Sequence, residues 1–221
     1  MGRLPNSAHQ AHPWVISQIA PDFTLLDAWA LPAEGGPGDF GEFLETMAAI
    51  DPVHSNTNVT SVLFRIRLRL GEWFGWDDAS QKLPIPGCRE TTLRERLPGE
   101  LRDTATGFGI NPTMQRAAGG FTPVYRTSDE AAAELSNGTV HGVLHLGWVE
   151  RGHGRYRAQM GVYVKPRGRL GGAYLKLIEP FRHLVVYPAL MRQIERAWQA
   201  APGRCVLAGT SRPTRRVRPG A

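Results

Sequence analysis

Apolar side chains recur along this chain in two rhythms, one of period two and one near 3.6. The period-two stretches lie in its second half. Residues 121–127 predict a strand, and 139–149 and 156–165 predict two more, separated by a turn at 150–155 that holds two glycines. Residues 130–135 read as a short helix or a further strand, with Asn137-Gly138 as a turn signal after them. Residues 14–19, Trp-Val-Ile-Ser-Gln-Ile, also read as a strand, stopped by Ala20-Pro21. Residues 23–31 continue extended or as a short helical turn, and 32–38 read as a Gly/Pro loop.

The helical rhythm appears in three places. Asp39 is a candidate N-cap for a helix that runs to about Ile50 and ends at Asp51-Pro52. Val59, Val62, Leu63, Ile66, Leu70, Trp73 and Phe74 form an apolar stripe that predicts a helix over 59–74, with Arg65, Arg69 and Glu72 on a solvated face. The stripe from Leu170 through Leu177, Phe181, Leu184, Met191 and Trp198 predicts a long helix over 170–199. Pro180 and Pro188 interrupt it, so it should be kinked or split in two. Between these, 77–120 is irregular, with a short amphipathic piece carrying Leu93, Leu97 and Leu101 and a loop over 103–120.

Alternation assigns faces to the two best strands. Val140, Leu144, Leu146 and Trp148 share a face, and so do Tyr156, Ala158, Met160, Val162 and Val164. His141, Val143 and His145, with Arg157, Gln159, Tyr163 and Lys165, take the reverse side. An antiparallel sheet with one covered face is the simplest account, and it leaves both histidines half exposed on the outer face.

Composition sharpens this picture. The 221 residues are 42% hydrophobic and 21% charged, which excludes a wholly disordered chain. The net charge is +6, but 202–221 hold five arginines and no acid, so 1–201 hold 21 basic and 20 acidic residues. The expected organisation is therefore one domain over 1–201 and a basic, disordered tail over 202–221. The tail lacks aromatic residues for base stacking, which counts against nucleic acid as a partner. No stretch has the length of a membrane span and the first ten residues hold no signal-like apolar run, so no membrane is expected and the cytoplasm is the expected location. The two cysteines, Cys88 and Cys205, form no metal or redox pair.

No phosphate-binding loop, dinucleotide fingerprint, nucleophile elbow or zinc motif occurs, and no cofactor is expected. On a strand, His141 and His145 stand roughly 13 Å apart. That separation excludes direct ligation of one ion, so no metal site is expected. If the apolar faces of the helix and the sheet meet, Tyr125, Trp148, Met160, Tyr174, His183, Tyr187 and Met191 are the candidate ligand-binding residues of the interior. The bland alternative is a core of aromatic residues whose polar atoms bond to backbone.

Several segments resemble a known family. They are Gly2-Arg-Leu-Pro-Asn-Ser-Ala-His9, Asp22-Phe23, Asp27-Ala-Trp-Ala-Leu-Pro32 and Leu70-Gly-Glu-Trp-Phe-Gly-Trp-Asp77. Thr139-Val-His-Gly-Val-Leu-His-Leu-Gly-Trp148 and Pro180-Phe-Arg-His-Leu-Val-Val-Tyr-Pro188 are the most specific. Together they resemble the bacterial domain-of-unknown-function family DUF2867 over residues 2–199. The resemblance implies no activity. It extends to the START/Bet v 1-like (SRPBCC) helix-grip superfamily, and so implies an α+β fold with an antiparallel sheet wrapped around a long C-terminal helix and an apolar cavity between them. The pattern supplies four clear strands, so 77–138 are expected to supply more.

Three functional readings follow. The first is binding of a hydrophobic or amphipathic small molecule in that cavity. The second is an enzyme of cyclase, dehydratase or hydrolase type, with a His/Tyr acid–base pair in the same place. The third is an interaction module, a homodimer formed through the face bearing His141, Val143, His145 and Tyr163.

Overall fold

The structure is a computed structural model, which describes residues 2–50, 91–104, 121–136 and 140–201. The expected helix at 59–74, most of the expected loop at 103–120, the basic tail and both cysteines lie outside the described residues.

Among the described residues, six strands form one fully antiparallel sheet: β1 (Gly2–Leu4), β2 (Thr24–Gly35), β3 (Thr122–Arg126), β4 (Glu130–Ser136), β5 (Val140–Glu150) and β6 (Tyr156–Pro166). Their order across the sheet is β1-β2-β6-β5-β4-β3. Of the further strands expected within 77–138, the described residues supply one, β4, which settles 130–135 as strand. Strands β5 and β6 form the longest hairpin, and its five-residue turn closes through Arg151 N–H donating to the Arg155 carbonyl. Gly152, His153 and Gly154 all have positive φ there, which explains the two glycines.

Residues 14–19 are not a strand. They contain a one-turn helix, α2 (Val15–Ile19), which follows another, α1 (Asn6–Gln10). The preference of Val and Ile for strands is overridden by tertiary contacts. Glu130 Oε1 accepts from the first helical N–H, that of Val15, at 2.8 Å, and Ile16 and Ile19 turn into the core. The chain at 32–35, expected as loop, continues β2 to Gly35. The helix after Asp39 runs as expected, α3 (Phe40–Ala49), although the Asp39 carboxylate accepts from Gly36 N–H instead of capping it.

The C-terminal stripe is two helices, α4 (Gly168–Phe181) and α5 (Tyr187–Ala200), joined by a π-helical turn at Arg182–Val186. Pro188 sits in the first turn of α5, where its missing N–H is tolerated. It cannot donate back to the preceding turn, and that turn widens.

Both faces of the sheet are covered. On one, Leu31, Ala131, Ala133, Leu146, Trp148, Ala158 and Met160 pack against α3 and α5. On the other, Leu25, Ala28, Val143, Tyr163 and Tyr125 pack under Trp14, Ile16, Ile19, Leu93 and Leu97. The expectation of one covered face therefore fails. His141 and His145 are fully buried, because residues 5–23 and 91–101 form a second layer over them.

Two bulges set which side chains face which layer. Leu25 pairs with Tyr163 but Asp27 pairs with Val162, so Leu26 is an extra residue. Leu25 faces the N-terminal layer, and the bulge turns Asp27 to the helical face, beside Trp29 and Leu31. In β3, Pro123 pairs with Ala133 and Tyr125 with Ala132, so Val124 is extra and Tyr125 is turned away from the helices.

Candidate functional site

The π turn brings three polar side chains onto one carboxylate. Asp27, only 1% exposed, accepts a hydrogen bond from the Tyr187 hydroxyl at 2.8 Å. Arg182 Nη2 stands 3.1 Å from the same oxygen, Oδ2. His183 Nε2 lies 3.0 Å from Oδ1, but off the hydrogen-bond direction, so neither atom is hydrogen bonded. Arg3 reaches in from β1, with Nη2 at 3.5 Å from Oδ1. The Trp29 ring lies against Tyr187 and His183, at centroid distances of 4.8 and 5.9 Å. Burial and the adjacent Asp27 carboxylate push the Tyr187 phenol well above its ordinary pKa, so it stays protonated and donates.

The site is also under-satisfied. Arg182 Nε and Nη1 and Trp29 Nε1 are buried without a hydrogen-bond partner. Buried donors are nearly always paired in folded proteins, and an unpaired one costs about 1–3 kcal/mol.

Of the seven sequence-predicted residues, Trp148, Met160, Tyr187 and Met191 fall in one core cluster between sheet and helices. His183 lies at the edge of that layer, on Asp27. Trp148 Nε1 donates to the Gly36 carbonyl, as a plain core aromatic would. Tyr174 falls within α4. Tyr125 is brought to the opposite face and does not join the others. Sequence reasoning missed Asp27 and Trp29, although both lie in a segment that carries the family resemblance. Their shared face could not be read, because it depends on the bulge at Leu26.

A second polar network runs through the N-terminal layer. The Tyr125 hydroxyl donates to Glu130 Oε2 at 2.7 Å, and His145 Nε2 lies 2.9 Å from the same oxygen. His145 Nδ1 faces His9 Nε2 at 3.2 Å, and His9 Nδ1 meets the Gln159 amide at 3.0 Å. Burial would raise the Glu130 pKa, but the hydrogen bond and charge of His145 outweigh it and the net shift is downward. As a carboxylate, Glu130 only accepts, so both the Tyr125 hydroxyl and the His145 Nε2–H donate to it. Burial and the neighbouring His145 lower the His9 pKa to about 4, so His9 is neutral near pH 7. Its Nδ1–H then donates to Gln159 Oε1. Farther along the sheet, His141 Nε2 lies 3.0 Å from Glu134, which also accepts from Leu93 N–H. These histidines therefore fasten the N-terminal layer to the sheet. With His141, Val143, His145 and Tyr163 all buried beneath that layer, their face is not open to a second copy, and the homodimer reading loses its surface.

A cleft of about 250 Å³ opens at the end of the sheet between Trp14, Glu130, Trp148 and Tyr156, away from Asp27. Among the described residues no cluster of His, Cys, Asp and Glu could hold a metal ion, and no helix is long and apolar enough to cross a membrane.

Comparison with known proteins places the chain at one point. The model of a family described as "Protein of unknown function (DUF2867)" matches residues 19–189. No curated protein and no solved structure matches the chain.

Proposed function

For a chain that belongs to the DUF2867 family, we propose binding of an amphipathic small molecule between the sheet and the C-terminal helices, at the Asp27 cluster. The observation that carries this is the set of unpartnered buried donors on Arg182 and Trp29, around a carboxylate that is itself engaged by Tyr187. A polar group of a ligand would complete them, and the neighbouring aromatic and aliphatic wall suits an apolar body. The helix-grip relationship belongs to the same reading. An antiparallel sheet with a long helical C-terminus on one face supports it, and in that architecture the space between the two is where a ligand sits. Trp148, Met160, Tyr187 and Met191 would form the apolar wall, with His183 at its polar end. Tyr125 is not part of it.

Native mass spectrometry of the protein purified from its own host tests this. A small molecule that copurifies with the wild type and is lost from Arg182→Gln supports the reading. A bare chain mass, with no thermal shift on adding amphipathic compounds, counts against it.

A second reading is favoured by one specific geometry. His183 and Tyr187 flank the same carboxylate, so a small rotation of the imidazole would give an Asp–His pair beside a phenol, a set able to move protons. A turnover assay in which His183→Phe is as active as wild type would remove this role.

A further inference from the structure

We propose that the group received at the Asp27 cluster is a singly charged oxyanion, with a carboxylate the best fit, and that the free edge of Arg182 grips it. This deepens the binding reading above and rests on it.

Charge comes first. Asp27 carries one negative charge and faces two guanidinium groups, Arg182 at 3.1 Å and Arg3 at 3.5 Å. Two guanidinium charges against one carboxylate leave one positive charge over. Arg3 is 52% exposed and can be satisfied by water. Arg182 is only 14% exposed, so its excess charge sits where water compensates poorly. A singly charged anion balances the site, whereas an ammonium group would add a second uncompensated cation.

Donor geometry agrees. A guanidinium has five N–H donors and no acceptor, and an indole has one donor. Arg182 presents Nη2 to Asp27, which leaves Nε and Nη1 buried and unused, and Trp29, whose ring touches His183 and Tyr187, has Nε1 buried and unused as well. Among the described residues of this cluster, the buried unpartnered acceptor is Asp27 Oδ1, and the buried unpartnered imidazole nitrogen is His183 Nε2, 3.0 Å away. A slight turn of that ring pairs those two with each other. What remains is donors alone, on a planar fork and an indole, and a group that can only accept completes them. Neutral alcohols and amides bring donors of their own, for which no free acceptor would be left.

The test uses three probes with one chain length and different heads: decanoate, 1-decanol and decyltrimethylammonium. Binding to the full chain is measured by calorimetry, with the Trp29 indole N–H resonance, assigned through Trp29→Phe, as the local reporter. Decanoate should bind at least about tenfold tighter than 1-decanol and shift that resonance downfield, as charge-assisted hydrogen bonds do. Trp29→Phe keeps the aromatic wall and should weaken decanoate several-fold while leaving 1-decanol unchanged. Arg182→Gln should bring decanoate down to the level of 1-decanol. Equal or tighter binding of 1-decanol or the ammonium probe overturns the oxyanion assignment and leaves small-molecule binding standing. Binding of decanoate with no response at Trp29 overturns the assignment to this site. No binding of any probe removes the cavity reading, and this inference with it.

Discussion

Gly161 lies directly beneath the His9 ring: a Cβ built at residue 161 would come within 2.6 Å of His9 Nε2. Gly147 stands in the same relation to Trp14, whose Cη2 would lie 2.6 Å from a Cβ there. Both glycines are on the sheet face that α1 and α2 cover, and their missing side chains are what let two rings lie flat against the strands. A methyl group at either place must displace ring atoms held by other contacts. His9 is fixed by Gln159 and His145, and Trp14 Nε1 donates to the His9 carbonyl at 2.8 Å.

Gly161→Ala and Gly147→Ala are accordingly expected to destabilise the fold by about 1–3 kcal/mol each, as overpacking does. Gly172→Ala is the control. Nothing lies within 4 Å of its added methyl and the residue is helical, so it should be neutral or stabilising. Urea unfolding of the three variants checks the contrast.

Acid should loosen the N-terminal layer. The His9 pKa is lowered to about 4 from 6.5 by burial and by His145. Between those values the unfolded chain binds a proton that the folded chain refuses, so stability is full above about pH 6.5 and falls as pH drops towards 4. The loss from this group is on the order of 3 kcal/mol at most. Asp22 adds a further loss at lower pH. Burial would raise its pKa, but hydrogen bonds from Arg96 and Lys165 win and hold it at about 2, below the usual 3.8. Its stabilisation is present above pH 3.8 and disappears as pH falls through 2. Urea midpoints against pH should show the first slope, and His9→Gln should flatten it.

Glu130 ties several elements together, accepting from Val15 N–H and the Tyr125 hydroxyl and pairing with His145. Glu130→Ala should cost more than about 3 kcal/mol, because it removes the acceptor of several buried groups at once. Residues 5–20 should lose amide protection before the β5–β6 hairpin does. Hydrogen exchange read by mass spectrometry separates the two regions.

Asp27 and Tyr187 should behave unequally. Tyr187→Phe removes one hydrogen bond to a charged acceptor, worth about 1.5–3 kcal/mol. Asp27→Asn leaves the buried Arg182 guanidinium without its counter-charge and should cost more, about 3–5 kcal/mol. An added anion should partly rescue Asp27→Asn and have little effect on Tyr187→Phe. Thermal melts with and without decanoate check both points.

Alternation and helical spacing alone located β3, β5, β6, α3 and the split C-terminal helix, and assigned the faces of β5 and β6 residue by residue. These are local properties: a strand turns over every residue and a helix every 3.6, so composition along a short window determines them. The α2 segment could not be read this way, because Glu130, 115 residues away, supplies the acceptor that its first turn needs. Nor could the second layer, which depends on two glycines meeting two rings distant in sequence. The candidate site was half legible. His183 and Tyr187 lie on one helical run, but their partner Asp27 is set by an extra residue at Leu26, just as Tyr125 is turned away by one at Val124. A single added residue reverses every side chain after it, and only pairing with the neighbouring strand decides where that residue goes. The sequence by itself determined β3, β5, β6, α3 and the C-terminal helical run, with the apolar faces of β5 and β6. The tertiary structure decided which polar groups share a face, because that depends on ladder register and not on local pattern.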